Sequence, residues 1–204
     1  MTATAQQYAQ LDQWIDAHFD EQVKFLQALV QVPTDTPPGN NAPHAAKTTE
    51  LLKGLGYEAE QFPVPEAEVK AYGLTSLTNL IVRRPFGPGG KTIALNAHGD
   101  VVPPGEGWTH PPYGGEIENG HMYGRATAVS KCDFSTFTFA LRAVEALQAQ
   151  DALKLKGNVE LHFTYDEEFG GELGPGRLLG LGLTKPDLEI AAGFSYQVVT
   201  AQER

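Results

Sequence analysis

The sequence predicts an α/β domain in which a mixed, mostly parallel sheet carries helices on both faces. Apolar strand-like runs alternate with segments of helical period, and glycine- and proline-rich loops separate them. Strands that are apolar throughout are typical of sheets covered on both faces. With 204 residues, 41% of them hydrophobic, the chain can bury one core, so we predict one large domain or one and a fraction.

The first predicted elements are helices. Apolar residues recur near the 3.6-residue period from Leu11 to Val32, which predicts one half-buried helix that ends at Pro33. A second helix is predicted from Pro43 to Lys53, because two glycines follow it directly. A strand is expected near Tyr57 to Phe62.

Two apolar runs in the middle of the chain, Asn79 to Arg84 and Thr92 to His98, predict strands. The segment between them, residues 85–90, has the turn-rich composition of a hairpin-like connection, so we expect these strands to pair. A long loop rich in glycine and proline follows. Two short strands are then predicted at Glu116 to Glu118 and at Met122 to Gly124.

Long elements return in the second half of the chain. The apolar period predicts a helix from Lys131 to Ala149 and a strand from Val159 to Thr164. Another helix is expected from Leu173 to Leu183, followed by a buried strand from Leu188 to Ala192. The apolar run from Phe194 to Thr200 begins a further strand-like segment, whose unpaired edge is expected to associate.

Charge and composition exclude several classes of function. The chain has 15 Lys and Arg against 25 Asp and Glu, a formal charge of −10, so it lacks the basic surface of a nucleic-acid-binding protein. It contains no membrane-spanning apolar run, and its first ten residues lack the features of a secretion signal. The single cysteine, Cys132, suits a reducing compartment. We expect a cytoplasmic protein that binds neither nucleic acid nor membrane.

Four candidate site residues lie at the ends of two of the predicted strands. At the first, His98 is an imidazole able to ligate zinc, and Asp100 is a carboxylate placed to orient it. At the second, Glu167 and Glu168 can divide metal binding and proton transfer between them. Ligands gather where loops leave the carboxyl ends of strands, so we predict one shared site.

Each pair also has a structural interpretation. A histidine beside an aspartate often serves only packing, and adjacent glutamates are common at solvated strand ends. Gly170 and Gly171 weigh against the second interpretation, because paired glycines permit close backbone approach directly after the glutamates.

Taken in order, several motifs resemble the co-catalytic zinc exopeptidases and amidohydrolases, a family that includes glutamate carboxypeptidase, acetylornithine deacetylase, succinyl-diaminopimelate desuccinylase and aminoacylase. The motifs are Asn96 to Pro103, Trp108 to Tyr113, Tyr123 to Arg125, Lys131, Asp166 to Gly171 and Lys185 to Asp187. The resemblance implies a zinc-exopeptidase-like catalytic domain over residues 1–193, incomplete at its carboxyl end. Residues 194–204 would begin a lid-like dimerisation domain, with a homodimer in a full-length form.

The resemblance also implies roles for the site residues. His98 resembles the first zinc ligand and Asp100 the carboxylate that holds it, while Glu167 corresponds to the general base. Glu168 corresponds to the glutamate that binds the other zinc. The implied cofactor is zinc or another divalent metal such as manganese or cobalt, and the implied substrate is a small peptide or an N-acyl amino acid.

The chain departs from the family pattern at the ligand positions. Val129 stands where the family has a bridging aspartate, and Gly193 where it has a further acidic ligand. The family's last ligand is a histidine near the carboxyl end of a considerably longer chain. Of the family's ligands only His98 and Glu168 remain here, although catalytic zinc usually keeps three protein ligands. Two hypotheses therefore stand: a metal-dependent amide hydrolase, or a non-catalytic or truncated family member without a complete metal site.

Asp133 is a candidate replacement for the missing bridging carboxylate. It lies four residues beyond Val129, about one helical turn, and so on the same helix face. The simpler interpretation is an acidic side chain that favours the amino-terminal dipole of the helix.

Overall fold

The computed structural model describes residues 4–192, which form a five-stranded sheet, a separate two-stranded sheet and six α-helices. The helices are α1 (Ala5–Ala17), α2 (Phe19–Val30), α3 (Ala42–Gly54), α4 (Glu66–Ala71), α5 (Lys131–Ala149) and α6 (Pro175–Gly180). The strands are β1 (Glu60–Pro63), β2 (Thr78–Gly87), β3 (Thr92–His98), β4 (Glu116–Glu118), β5 (His121–Tyr123), β6 (Gly157–Thr164) and β7 (Leu188–Ala191). No helix in this part of the chain is both long and apolar enough to cross a membrane.

The predictions for Gly193 and for residues 194–204 lie outside the described residues. These include the strand-like run from Phe194 to Thr200 and the start of a second domain. Within the described part, the predicted helices from Pro43 to Lys53 and from Lys131 to Ala149 are confirmed as α3 and α5.

The large sheet has the strand order β1-β2-β6-β3-β7. Strands β6, β3 and β7 are parallel, whereas β1 pairs with β2 and β2 pairs with β6 in antiparallel fashion. Between β3 and β6 the chain forms the β4–β5 hairpin and then α5, a crossover of the kind that parallel neighbours require. The predicted α/β class with a mixed sheet is confirmed.

Both faces of the sheet are covered over its central strands. On one face α2, α3 and α5 contribute to a buried cluster, in which the rings of Phe134 in α5 and Phe163 in β6 meet edge to face, 4.7 Å apart. The segment 172–184, which contains α6, covers the other face. There Thr184 Oγ1 donates a hydrogen bond to Glu160 Oε2 of β6 at 2.5 Å.

Strands β2 and β3 do not pair, so the predicted hairpin-like connection between them is wrong. Strand β6 lies between them, and its Phe163 is the register partner of both Leu80 in β2 and Ala97 in β3. A central position buries β6 on both faces, which removes more apolar surface from water than an edge position would. The turn-rich segment ends β2, but it does not make β3 pair with β2.

The single helix predicted from Leu11 to Val32 is also wrong, because His18 separates α1 from α2. The backbone of His18 leaves the helical region, with φ −113° and ψ 11°. Its ring stacks on Trp14 at 3.8 Å between centroids, and its Nδ1 lies 2.7 Å from the Trp14 backbone oxygen. This local contact competes with the helical hydrogen bonds, whereas the apolar period continues on both sides of the break.

Strand β7 lies where a buried strand is predicted, but it is exposed. Leu188 is 51% exposed and Ile190 is 55% exposed. Among residues 4–192, β7 pairs only with β3, which leaves it at the edge of the described sheet. Its apolar composition predicts a strand correctly, but burial depends on the strand order. The helix predicted from Leu173 to Leu183 is shorter in the structure, where it is α6.

Candidate metal centre

The candidate site lies where the parallel strands β3 and β6 end side by side. His98, the last residue of β3, is the register partner of Thr164, the last residue of β6. The loops that follow the two strands therefore begin at the same edge of the sheet. A pocket of about 340 Å³ opens there, and His98, Thr164 and Glu167 are among the residues that line it.

The ring of His98 is held by Asp100. The His98 Nδ1 atom lies 3.0 Å from the backbone oxygen of Asp100 and 3.3 Å from its Oδ1. Asp100 is fully buried, so its carboxylate cannot turn towards solvent. Burial alone would lower the pKa of His98, but the hydrogen bond to Asp100 and the charges of Asp100 and Glu167 outweigh it and raise this pKa.

Asp100 also holds the turn that carries the two glutamates. Its Oδ1 accepts a hydrogen bond from the backbone N–H of Glu167 at 3.4 Å, and its Oδ2 accepts one from that of Glu168 at 3.1 Å. One buried carboxylate thus joins the loop after β3 to the loop after β6. The His-x-Asp spacing predicts the contact of Asp100 with His98, but it does not predict the two contacts with the glutamate backbone.

The glutamates lie on a 3-10 turn, Glu167–Phe169, that brings both side chains towards His98. One ligand atom from each of the three residues lies within 4.8 Å of the others, and Glu167 Oε2 is 3.8 Å from His98 Nε2. Loss of hydration at the carboxyl, with the charges of Glu167 and Asp100 adding to it, raises the pKa of Glu168 against the opposing effect of His98. A divalent cation would offset this concentration of negative charge.

The glycines after the turn are required by the backbone. Gly170 has φ 101° and Gly171 has φ 79°, conformations that side chains with a Cβ rarely adopt. The loop is then closed by Asp166, whose Oδ2 accepts a hydrogen bond from the backbone N–H of Leu173 at 2.5 Å. Burial raises the pKa of Asp166 to about 6. The role of Asp166 in closing the loop is not evident from the sequence.

Neither Val129 nor Asp133 joins the cluster of ligand atoms. Val129 is 38% exposed in the segment between β5 and α5, and its side chain offers no donor atom. Asp133 lies in the first turn of α5, where its Oδ2 accepts a hydrogen bond from Ser130 Oγ at 2.9 Å. In the described part of the chain, the potential metal cluster around His98 contains Glu167 and Glu168 but not Asp133.

A buried lysine near the centre has no predicted role. Lys131 is 0% exposed, and its Nζ donates a hydrogen bond to the backbone oxygen of Val32 at 2.8 Å. Its Nζ also lies 5.5 Å from the ring centre of Tyr113, whose hydroxyl donates to Asp35 Oδ1 at 2.5 Å. Burial lowers the pKa of Lys131 to about 7, although the charges of Asp35 and Asp100 oppose this change.

No local pattern predicts the surroundings of this buried group. Lys131 is one of the matched motifs, but its partners come from distant parts of the chain. The sequence therefore identifies the residue and leaves its surroundings unspecified.

Comparison with known sequences places these residues in a family. Residues 94–199 match peptidase family M20/M25/M40. The succinyl-diaminopimelate desuccinylase of Gluconobacter oxydans (strain 621H) is 34% identical over 139 residues, which make up 68% of this chain and 31% of that protein. The desuccinylase of Hydrogenovibrio crunogenus (strain DSM 25203 / XCL-2) is 34% identical over 151 residues, 72% of this chain and 35% of that protein.

The fold is also found among solved structures. Human carnosine dipeptidase 1 superimposes with a TM-score of 0.68 and 21% sequence identity, over 92% of this chain and 41% of that chain. At this identity the likeness concerns the fold alone.

The chain spans about a third of the length of the curated relatives it matches. The family match covers more than half of the 204 residues and includes His98, Asp100, Glu167 and Glu168. The chain therefore belongs to peptidase family M20/M25/M40.

Proposed function

We propose that this chain carries the metal site of a hydrolase that cleaves amide bonds in small peptides or N-acyl amino acids. The observation that carries the proposal is the cluster of His98, Glu167 and Glu168, whose ligand atoms lie within 4.8 Å of one another at the edge of the sheet. The names of the desuccinylase relatives support an N-acyl amino acid as substrate. We also propose a cytoplasmic location, which the single cysteine supports.

The donor set fits one divalent cation. An imidazole nitrogen and carboxylate oxygens are the ligands that catalytic zinc takes, and three protein ligands are usual. We assign His98 and Glu168 as ligands, with zinc as the cation and manganese or cobalt as substitutes. Glu167, the third member of the cluster, is left free for proton transfer. When bound, the cation polarises the substrate carbonyl and lowers the pKa of water to about 7.

The other residues orient the ligands and move the proton. Asp100 fixes the His98 ring through Nδ1, which leaves Nε2 free to face the glutamates. The Glu167 side chain is 61% exposed, so its carboxylate has room to turn between the attacking water and the leaving nitrogen. Glu167 is the general base that takes the proton from water and delivers it to the amine.

The test combines metal analysis with a panel of substrates. The purified chain should bind zinc and hydrolyse N-acyl amino acids or dipeptides, and Glu167→Gln should lower kcat by about 10²- to 10⁴-fold while zinc remains bound. Glu58→Gln, a change at an exposed glutamate outside the centre, should leave activity unchanged. A chain that neither binds metal nor turns over any substrate would contradict the proposal.

A second candidate function is a family member that binds ligand without turnover. Val129 favours it, because a valine cannot supply the bridging carboxylate that the resemblance implies. Val129→Asp should then bind zinc more tightly by about tenfold or more, since loss of even outer-shell groups costs 10- to 100-fold in affinity. The isosteric Val129→Asn is the control, and equal zinc affinity in both variants would count against this explanation.

A further inference from the structure

A second set of metal-ligating side chains lies on the β4–β5 hairpin. Glu116 and Glu118 are two residues apart in β4, so both side chains point to the same face. Their register partners in β5 are Tyr123 and His121. His110, from the preceding loop, stacks on the Tyr123 ring with centroids 4.0 Å apart and planes 19° apart. One face of a short hairpin thus carries two imidazoles and two carboxylates.

We propose that His110, Glu116 and Glu118 form a zinc-binding site that is separate from the candidate metal centre. One ligand atom from each of these residues lies within 4.8 Å of the others. His110 Nδ1 is 2.7 Å from Glu116 Oε2, a hydrogen bond that coordination would replace. The stacking on Tyr123 fixes the plane of the His110 ring, which reduces the entropy lost when the metal binds.

His121 lies beside this cluster but is not one of its three members. It lies directly across the hairpin from Glu118, a position at which paired residues have Cβ atoms about 4.5–5.5 Å apart. Its Nδ1 lies 3.0 Å from the backbone oxygen of Asn119, so this ring is held by the turn of the hairpin. The one imidazole and two carboxylates of the cluster make a three-ligand set that zinc accepts, with water as the fourth ligand.

The charges at this face favour a cation. Within residues 4–192, neither Glu116 nor Glu118 forms an ion pair with a lysine or an arginine, and the ion-pair partner of Glu116 is His110. Side chains with imidazole nitrogen select zinc or copper over magnesium or calcium, which prefer all-oxygen sites. A bound ion would join the loop that carries His110 to strand β4.

The test uses zinc alone and a chain in which the candidate metal centre has been removed. The His98→Ala, Glu168→Gln double variant should still bind one equivalent of zinc by calorimetry. Adding Glu118→Gln or His110→Gln should weaken that binding at least tenfold, and Tyr123→Ala should weaken it by about 10- to 100-fold. Glu106→Gln, a change at an exposed glutamate outside the cluster, should have no effect.

Cobalt offers an independent measurement. Cobalt added to the double variant should give the visible absorption of a tetrahedral site, and Glu118→Gln should abolish it. Circular dichroism checks the fold, and Glu118 is exposed, so its replacement leaves the core intact. The proposal is overturned if the double variant binds no zinc, or if Glu118→Gln and His110→Gln bind zinc as tightly as their parent.

Discussion

Asp100 is the residue that determines the geometry of the candidate metal centre. Its carboxylate contacts His98 Nδ1 and the backbone N–H groups of both glutamates. Asp100→Asn keeps the shape but removes the charge that raises the pKa of His98. We expect zinc affinity to fall by about 10- to 100-fold and the His98 pKa of the metal-free chain to fall.

Calorimetry and proton NMR titration would measure these two changes. Asp12→Asn, at an exposed position in α1, is the control. A His98 pKa that stays the same in Asp100→Asn would contradict the assigned contact.

Gly99 separates the two residues of the His-x-Asp motif, and no larger residue fits there. A Cβ at this position would lie 2.6 Å from Tyr165 Cε1 and 3.1 Å from Phe134 Cζ, and both rings are fully buried. Gly99→Ala should lower the free energy of unfolding by about 1–3 kcal/mol through overpacking, as measured by urea denaturation. Gly54→Ala, in helix α3 with nothing within 4 Å of the added Cβ, should be neutral or stabilising. Equal stability of the Gly99→Ala chain and the parent would show that the rings can move.

The four predicted site residues are brought together in the structure, although His98 and Glu168 are far apart in the sequence. Their proximity could be predicted because each pair lies at the end of an apolar strand, and the ends of parallel strands meet at one edge of a sheet. The surroundings of Lys131 could not be predicted, because Val32 and Asp35 come close to it only through tertiary packing. Local patterns identify reactive residues, but the charges that surround them depend on the whole fold.

At the scale of elements, Glu160 joins β6 to β2 and to the segment after α6. It forms an ion pair with Arg83 and accepts hydrogen bonds from His162 Nε2 at 2.9 Å and from Thr184 Oγ1 at 2.5 Å. Burial would raise its pKa, but these partners outweigh it and hold the pKa at about 2. Its stabilising contribution is therefore complete above the unfolded-state pKa of about 4.3 and is lost as the pH falls towards 2.

Glu160→Gln should therefore unfold more easily at pH 7, by about 1.5–3 kcal/mol. The difference between the variant and the parent should shrink between pH 4.3 and pH 2, as followed by urea denaturation at each pH. Glu50→Gln removes an exposed ion pair with Lys47 and should cost about 1 kcal/mol or less. A stability difference that persists unchanged to pH 2 would show that the charge of Glu160 contributes nothing.

Periodicity predicts the elements better than it predicts their arrangement. Helix α5 and the extent of β3 are predicted correctly, because their apolar residues repeat within one local stretch. The insertion of β6 between β2 and β3, and the exposure of Leu188 in β7, depend on which strands pair across long distances. The local sequence of a strand does not specify which strands it will pair with in the sheet.

For the whole molecule, zinc should stabilise the fold. An ion that binds only the folded chain raises the free energy of unfolding by about 2.7 kcal/mol at one hundred times its dissociation constant. Urea denaturation with zinc and with a chelator would measure this difference. Glu168→Gln should reduce the effect of zinc, whereas Glu106→Gln should retain it in full. Identical unfolding curves with zinc and with chelator would exclude a folded-state metal site.

Because His98 pairs with Thr164, a cation held by His98 and the two glutamates would favour the correct alignment of β3 and β6. A slip of one residue between β3 and β6 would turn His98 to the opposite face of the sheet, and a slip of two would shift it roughly 7 Å along the strand. In either misaligned chain the imidazole and the glutamates no longer reach one cation. Metal supplied during refolding would thus stabilise only the molecules in which β3 and β6 are correctly aligned.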